Sequence, residues 1–209
     1  PKEWVQKKLT ITGLRTQMEL KGHSCLQMGE VAPKKGIMCS RSFGEAVFDL
    51  PQLNESVASY ASKAAEDLRS QGSAASYIQV FLLTNRFDAK FAPFAKSGTL
   101  TFSEPTSYTP TLIESAKRLL EEMYIEGIPY KKTGVFLGGL VPASQKRLDL
   151  FEESTEEERK KQERLMQLLD QLNEKKTGSL YFLAEGIEKG WKMKQSMTSP
   201  SYTTSWDEL

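Results

Sequence analysis

Twice along this 209-residue chain a strand-like apolar run leads into a helix-start signal built on proline, and each helix gives way to another strand-like run. Few folds accommodate that order. The first signal is Asp49-Leu50-Pro51-Gln52, in which aspartate caps, proline fits the first turn where its missing N–H is not needed, and Gln52 lies three residues after the cap. The second is Thr109-Pro110, a cap followed by proline at the first helical position. Val57, Ala61, Ala64 and Leu68 then mark one helical face before Gly72. Ile113, Ala116, Leu120 and Met123 or Tyr124 mark another before Gly127.

The flanking runs read as strands. Gly36–Phe43 is bounded by Gly36 and Gly44, Tyr77–Thr84 is rich in apolar and aromatic residues, Ser97–Ser103 alternates, and Lys131–Leu140 ends at Gly138-Gly139 and Pro142. Asn85–Lys96, with Pro93, is a loop. The expectation is an α+β domain of ferredoxin-like βαββαβ order, with both helices on one sheet face and the other face open.

If Ile37, Cys39, Ile78, Val80, Leu82, Leu100 and Phe102 face the helices, alternation sends Ser40, Ser42, Gln79, Thr99, Thr101 and Ser103 to the open side. Such a row of hydroxyls and amides, with Arg41, Arg86, Lys131 and Lys132 nearby, suits hydrogen bonding to phosphate oxygens, which fixes position without reading sequence. A merely solvated face is the competing explanation. Domains that stack bases place aromatics on central strands. Here the third strand offers only Phe102, assigned inward, which argues against stacking.

Residues 1–34 include Leu9–Arg15, whose pattern fits a strand or a helix end. Residues 141–157 are polar and acidic and read as a linker. In 158–209, a capping box at Thr155/Glu158 opens a helix with the stripe Leu165, Leu168, Leu169 and Leu172, expected to dock on something. Beyond it, Tyr181, Phe182, Trp191, Met193, Met197, Tyr202 and Trp206 are too many large apolar groups for a disordered tail.

Catalytic chemistry finds little to work with. His23 is the only histidine, so neither a histidine-rich metal site nor a serine–histidine–aspartate triad has the parts it needs. No phosphate-loop or dinucleotide-binding motif is present, and Glu121-Glu122 and Glu152-Glu153 read as solvated acidic faces. Two cysteines, Cys25 and Cys39, form no C-x-x-C and suit a reduced compartment. No apolar run is long enough for a membrane span, so a cytoplasmic location without membrane contact is expected. The net charge is +1, with a local basic excess in residues 1–45: eight Lys/Arg against four Glu.

Specific strings add a resemblance. Cys39–Glu45 (C-S-R-S-F-G-E), preceded by Arg15–Gly22 (R-T-Q-M-E-L-K-G) and Cys25-Leu26, is similar to the junction of thumb and little finger in UmuC-type, Y-family translesion DNA polymerases. The correspondence continues through Ser59-Tyr60-Ala61, Lys132–Val135, Gly178–Phe182 and Ser199–Thr204. It implies that 1–34 is the end of the thumb with a linker and 35–140 the little finger, the accessory domain that grips primer and template backbones. In that family the first-strand segment meets template phosphates, here Ser40, Arg41 and Ser42.

The resemblance further implies a sliding-clamp peptide in 141–157. Arg147-Leu148-Asp149-Leu150-Phe151 stands where the family has glutamine followed by L-x-L-F, with Arg147 replacing the glutamine and Gln145 two residues earlier. Implied partners are damaged primer-template DNA, the clamp, and for the tail the UmuD′ dimer or RecA. The palm carboxylates that hold Mg²⁺ in such polymerases have no counterpart here, so no catalytic residue, metal or cofactor is assigned, and the chain is expected to be inactive alone. The alternative is a non-enzymatic interaction module whose sheet does not bind nucleic acid.

Overall fold

Asp49 and Pro51 act as the sequence leads one to expect: the Asp49 carboxylate accepts a hydrogen bond from the Gln52 N–H at 3.3 Å, and the helix opens there. The computed structural model describes residues 1–25, 33–88, 90–143, 156–174, 180–193 and 197–200. It divides into two units, Pro1–Pro33 and Lys34–Leu209.

The first unit contains helix α1 (Lys2–Glu19), so Leu9–Arg15 is helical. Thr10 breaks its regularity, with φ at 61° and ψ at −171°. None of the α1 residues is buried, and Trp4, Leu9 and Ile11 are exposed within this unit.

The second unit runs β1 (Ile37–Val47), α2 (Leu50–Ser70), β2 (Ser73–Thr84), β3 (Ala95–Thr106), α3 (Thr109–Met123), β4 (Tyr130–Gly138), β5 (Val141–Pro142) and α4 (Glu156–Glu174). The α+β class and the βαββαβ order hold. The antiparallel sheet has the order β1-β4-β2-β3, so β2 and β4 are central and β1 and β3 are edges. Each helix links two strands separated by a third. The predicted faces of α2 and α3 (Val57, Ala61, Ala64 and Leu68; Ile113, Ala116, Leu120 and Met123) are buried against Ile78, Val80, Leu82, Val135 and Leu137.

Several details differ from the sequence expectation. β1 does not stop at Gly44 but runs to Val47, with an irregularity in its pairing with β4 between Ser42 and Val47; Gly44 lies where the tail passes, and a Cβ there would stand 3.0 Å from the Lys192 carbonyl. Thr109 is the first residue of α3 rather than its cap, since its hydroxyl accepts from Arg69 Nη1 at 2.7 Å. The 141–157 segment is not all linker. Val141-Pro142 pairs with Ser73-Ala74, and α4 already begins at Glu156.

The α4 stripe is also phased differently. Leu165, Leu168 and Leu172 are exposed, while Met166 is buried and Leu169 half-buried. An ion pair fixes that phase: Arg69 on α2 grips Asp170 bidentately, Nε to Oδ2 at 2.6 Å and Nη2 to Oδ1 at 2.7 Å. Beyond α4, Asn173 exchanges two hydrogen bonds with the Leu180 backbone. Trp191 then enters the core, edge-on to Phe43 at 6.1 Å and to Tyr60 at 5.6 Å between ring centroids. The Trp191 carbonyl also accepts from the Gly44 N–H at 3.3 Å. Of the tail's large groups, Trp191 is buried and Phe182 packs against the core, whereas Tyr181, Met193 and Met197 are exposed.

Candidate nucleic-acid interface

The two faces of the sheet separate cleanly. Ile37, Ile78, Val80, Leu82, Val135 and Leu137 are buried beneath the helices. A Cβ on Gly98 would meet Leu119 and Met123 of α3, so Gly98 also faces the helices and its neighbours Ser97 and Thr99 point away. Cross-strand register then assembles the open face: Ser40 pairs with Gly134 and Gly134 with Phe81; Ser42 pairs with Lys132; Gln79 lies between Phe136 and Thr99; and Tyr77 pairs with Thr101.

Of the predicted contacts, Ser40, Ser42, Gln79, Thr99, Thr101 and Lys132 thus share this face. Ser103 is exposed further along β3. Arg41 is not with them. It pairs with Thr133, which is fully buried on the helix side with its hydroxyl donating to the Phe81 carbonyl at 2.7 Å. Exposed at the sheet edge, Arg41 donates to the Ser40 carbonyl at 3.0 Å and exerts its charge on Cys39 and Tyr60, both of the helix side. Strict alternation in an edge strand separates it from Ser40 and Ser42.

Lys131 donates to the Gly44 carbonyl at 2.9 Å, tying the start of β4 to β1. Arg86 lies in the turn after β2, its guanidinium 4.8 Å from the centre of the Phe87 ring. Lys131, Lys132, Arg86 and the exposed Lys96 at the start of β3 give one end of the sheet a cationic rim. The basic excess of residues 1–45 is, by contrast, divided between two units. Gln145 and Arg147–Phe151 lie outside the described residues.

Sequence reasoning missed three residues. Tyr77 and Phe81 on β2 and Phe136 on β4 belong to the open face, each partly exposed, with the Tyr77 and Phe136 rings 6.1 Å apart. Phe102 does pack inward, but it sits on edge strand β3, and aromatics on the central strands overturn the argument against stacking. The signal was present: assigning Ile78, Val80 and Leu82 inward already sends Tyr77 and Phe81 outward.

Burial pushes the Cys39 thiol up from its ordinary range, against the opposing charge of Arg41, and also raises the Tyr60 hydroxyl. Both shifts move these groups away from reactivity at neutral pH. Among the described residues no three His, Cys, Asp or Glu side chains cluster in a way that could hold a metal ion. A hollow of 570 Å³ is lined by Gly44–Asp49, Gln52 and Gly190–Met193. No described helix is long and apolar enough to cross a membrane.

Comparison with known proteins gives this interface a context. Residues 34–150 match the model described as impB/mucB/samB family C-terminal domain, and residues 163–209 match a domain of unknown function. Salmonella typhimurium Protein UmuC is 36% identical over 98% of the chain and 49% of its own length. Protein SamB of the same organism is 34% identical over 99% of the chain and 48% of its length. Escherichia coli Protein MucB is 33% identical over 93% of the chain and 46% of its length. The chain spans about half the length of the curated relatives it matches.

Proposed function

Because the chain belongs to the impB/mucB/samB family, we propose that it is the DNA-gripping and clamp-docking C-terminal portion of an error-prone translesion polymerase acting in SOS DNA repair. The observation that carries this reading is the open sheet face: Ser40, Ser42, Gln79, Thr99 and Thr101 offer donors and acceptors beside Lys132, with the cationic rim at one end. Hydroxyl and amide groups on a rigid sheet suit a phosphate backbone, and lysines supply the sequence-independent attraction. Polymerisation itself, with its magnesium, belongs to the other half of the parent protein in this reading.

The Leu148–Phe151 segment, following directly on the domain, is the proposed clamp peptide: two leucines and a phenylalanine suit insertion into an apolar pocket. The exposed leucines of α4 suit a protein partner, for which the UmuD′ dimer and RecA are candidates.

Fluorescence anisotropy with primer-template DNA tests the grip. Binding should weaken steeply with salt, show little sequence preference, and fall uniformly across sequences in Lys132→Ala. Undetectable or salt-independent binding counts against it. For the clamp, Leu150→Ala with Phe151→Ala should abolish clamp binding while DNA binding persists. A parent chain that does not bind the clamp removes the peptide assignment.

A further inference from the structure

On α4 the apolar row written in the sequence and the side that docks are different. Met166, Asp170 and Asn173 turn toward the domain, whereas Leu165, Leu168 and Leu172 lie about a third of a turn away and are between 37% and 53% exposed. Arg69 holds the helix in that roll. Its guanidinium donates twice to Asp170, once to the Ser107 carbonyl at 3.0 Å and once to the Thr109 hydroxyl at 2.7 Å. Rolling α4 to bury its leucines would carry Asp170 away from Arg69 and leave two partly buried charges unpaired, a costly arrangement.

The fold does not need apolar groups in this row, since polar residues there would leave Met166 and the Arg69–Asp170 pair untouched. Spaced i, i+3, i+7, the leucines make the kind of seam that a second helix fills. The surface also extends beyond α4: half-buried Leu169 lines one hollow with Leu180 and Tyr181, both about half exposed.

The charges around the row choose the occupant. Helical spacing puts Lys161 and Arg164 on the leucine side, where both are exposed and make no ion pair among the described residues. The two carboxylates between 159 and 173, Glu163 and Asp170, lie on the other side, where they line a hollow with Gly72, Ser73 and Ala143. Around the hollow shared with Leu180, Glu66 and Glu185 are held by Lys63 at 2.9 Å and Lys189 at 3.2 Å. An apolar row with positive charge along it attracts a carboxylate-bearing partner and disfavours a basic one.

We propose that the leucine row of α4 docks an acidic amphipathic helix of a protein partner, whose apolar side meets Leu165, Leu168 and Leu172 and whose carboxylates face Lys161 and Arg164. This rests on the protein-partner reading of these leucines given above and specifies the partner's chemistry.

The test measures fluorescence anisotropy of three labelled helical peptides of about 20 residues with the whole chain. All carry leucine at the same i, i+3, i+7 positions, and the remaining positions are glutamate-rich, charge-balanced or lysine-rich. The glutamate-rich peptide should bind at least about tenfold more tightly than the lysine-rich one, an advantage that shrinks with added salt. Leu168→Ser with Leu172→Ser should weaken its binding at least about tenfold. Lys161→Ala with Arg164→Ala should erase the preference for it, and because all four side chains are exposed the variants should keep the parent's circular dichroism. Lysine-rich binding as tight as glutamate-rich overturns the acidic occupant and leaves a protein-facing surface standing. Absence of binding to all three peptides overturns both. Self-association of the parent chain in sedimentation, abolished by the leucine substitutions, assigns the row to a second copy and overturns the proposal. The parent chain's three affinities decide the charge preference even if a variant fails to fold.

Discussion

Replacing Trp191 with alanine removes the largest group that the C-terminal segment contributes to the core. The indole is 3% exposed and edge-on to two rings, Phe43 and Tyr60. Truncating a buried aromatic costs about 3–5 kcal/mol, and loss of the edge-to-face pairs adds about 0.5–1.5 kcal/mol each. Working the other way, the indole Nε1 is buried with no hydrogen-bond partner among the described residues, a penalty of about 1–3 kcal/mol that the substitution relieves. The balance is a destabilisation of about 4 kcal/mol. Trp191→Phe separates the contributions, because it keeps a ring against Phe43 and Tyr60 and deletes the unpaired N–H. Its cost should stay below about 1.5 kcal/mol. Urea unfolding followed by circular dichroism measures both. An alanine variant within about 0.5 kcal/mol of the parent would show that the segment is not part of the core. A phenylalanine variant as costly as alanine would show that the indole N–H, not ring packing, is what matters.

Two further perturbations probe other parts of the same packing. Arg69→Met leaves Asp170 and the Ser107 carbonyl without their donors, so α4 should loosen, with a loss of about 1–3 kcal/mol and faster amide exchange through Met166–Asn173; unchanged exchange there would remove Arg69 as the anchor. Burial raises the hydroxyls of both Tyr60 and Tyr130, so folding favours their protonated forms. Their contribution is full below the ordinary tyrosine range near about 10 and is lost as pH rises above it. Tyr60→Phe should therefore flatten the alkaline fall in stability while leaving neutral stability little changed, and an alkaline profile unaltered by the substitution would contradict that.

The elements and the helical faces were legible because local chemistry writes them: Asp49 and the proline positions open helices, and the spacing of Val57, Ala61, Ala64 and Leu68 points one side inward. Strand order was not. Nothing local distinguishes a central β4 from an edge strand, and the importance of Phe136 depends on that position. The inward row of β2 was legible, and with it its complement, Tyr77 and Phe81, since alternation sends them to the opposite face. The phase of α4 could not be read from its leucines, since Arg69, 101 residues from Asp170 in sequence, sets it. Trp191 was legible as apolar but not as a partner of Phe43, because that contact is made only once the chain returns to β1.

On the proposed function, DNA lies on the face of the sheet opposite α2 and α3. Amide and methyl chemical-shift mapping of the whole chain during titration with primer-template DNA tests it directly. Shifts should concentrate at Ser40, Ser42, Gln79, Thr99, Thr101 and Lys132 and at the neighbouring rings, with α2 and α3 quiet. Shifts concentrated on the exposed sides of α2 and α3, or none on the sheet at DNA concentrations that saturate binding, would contradict it.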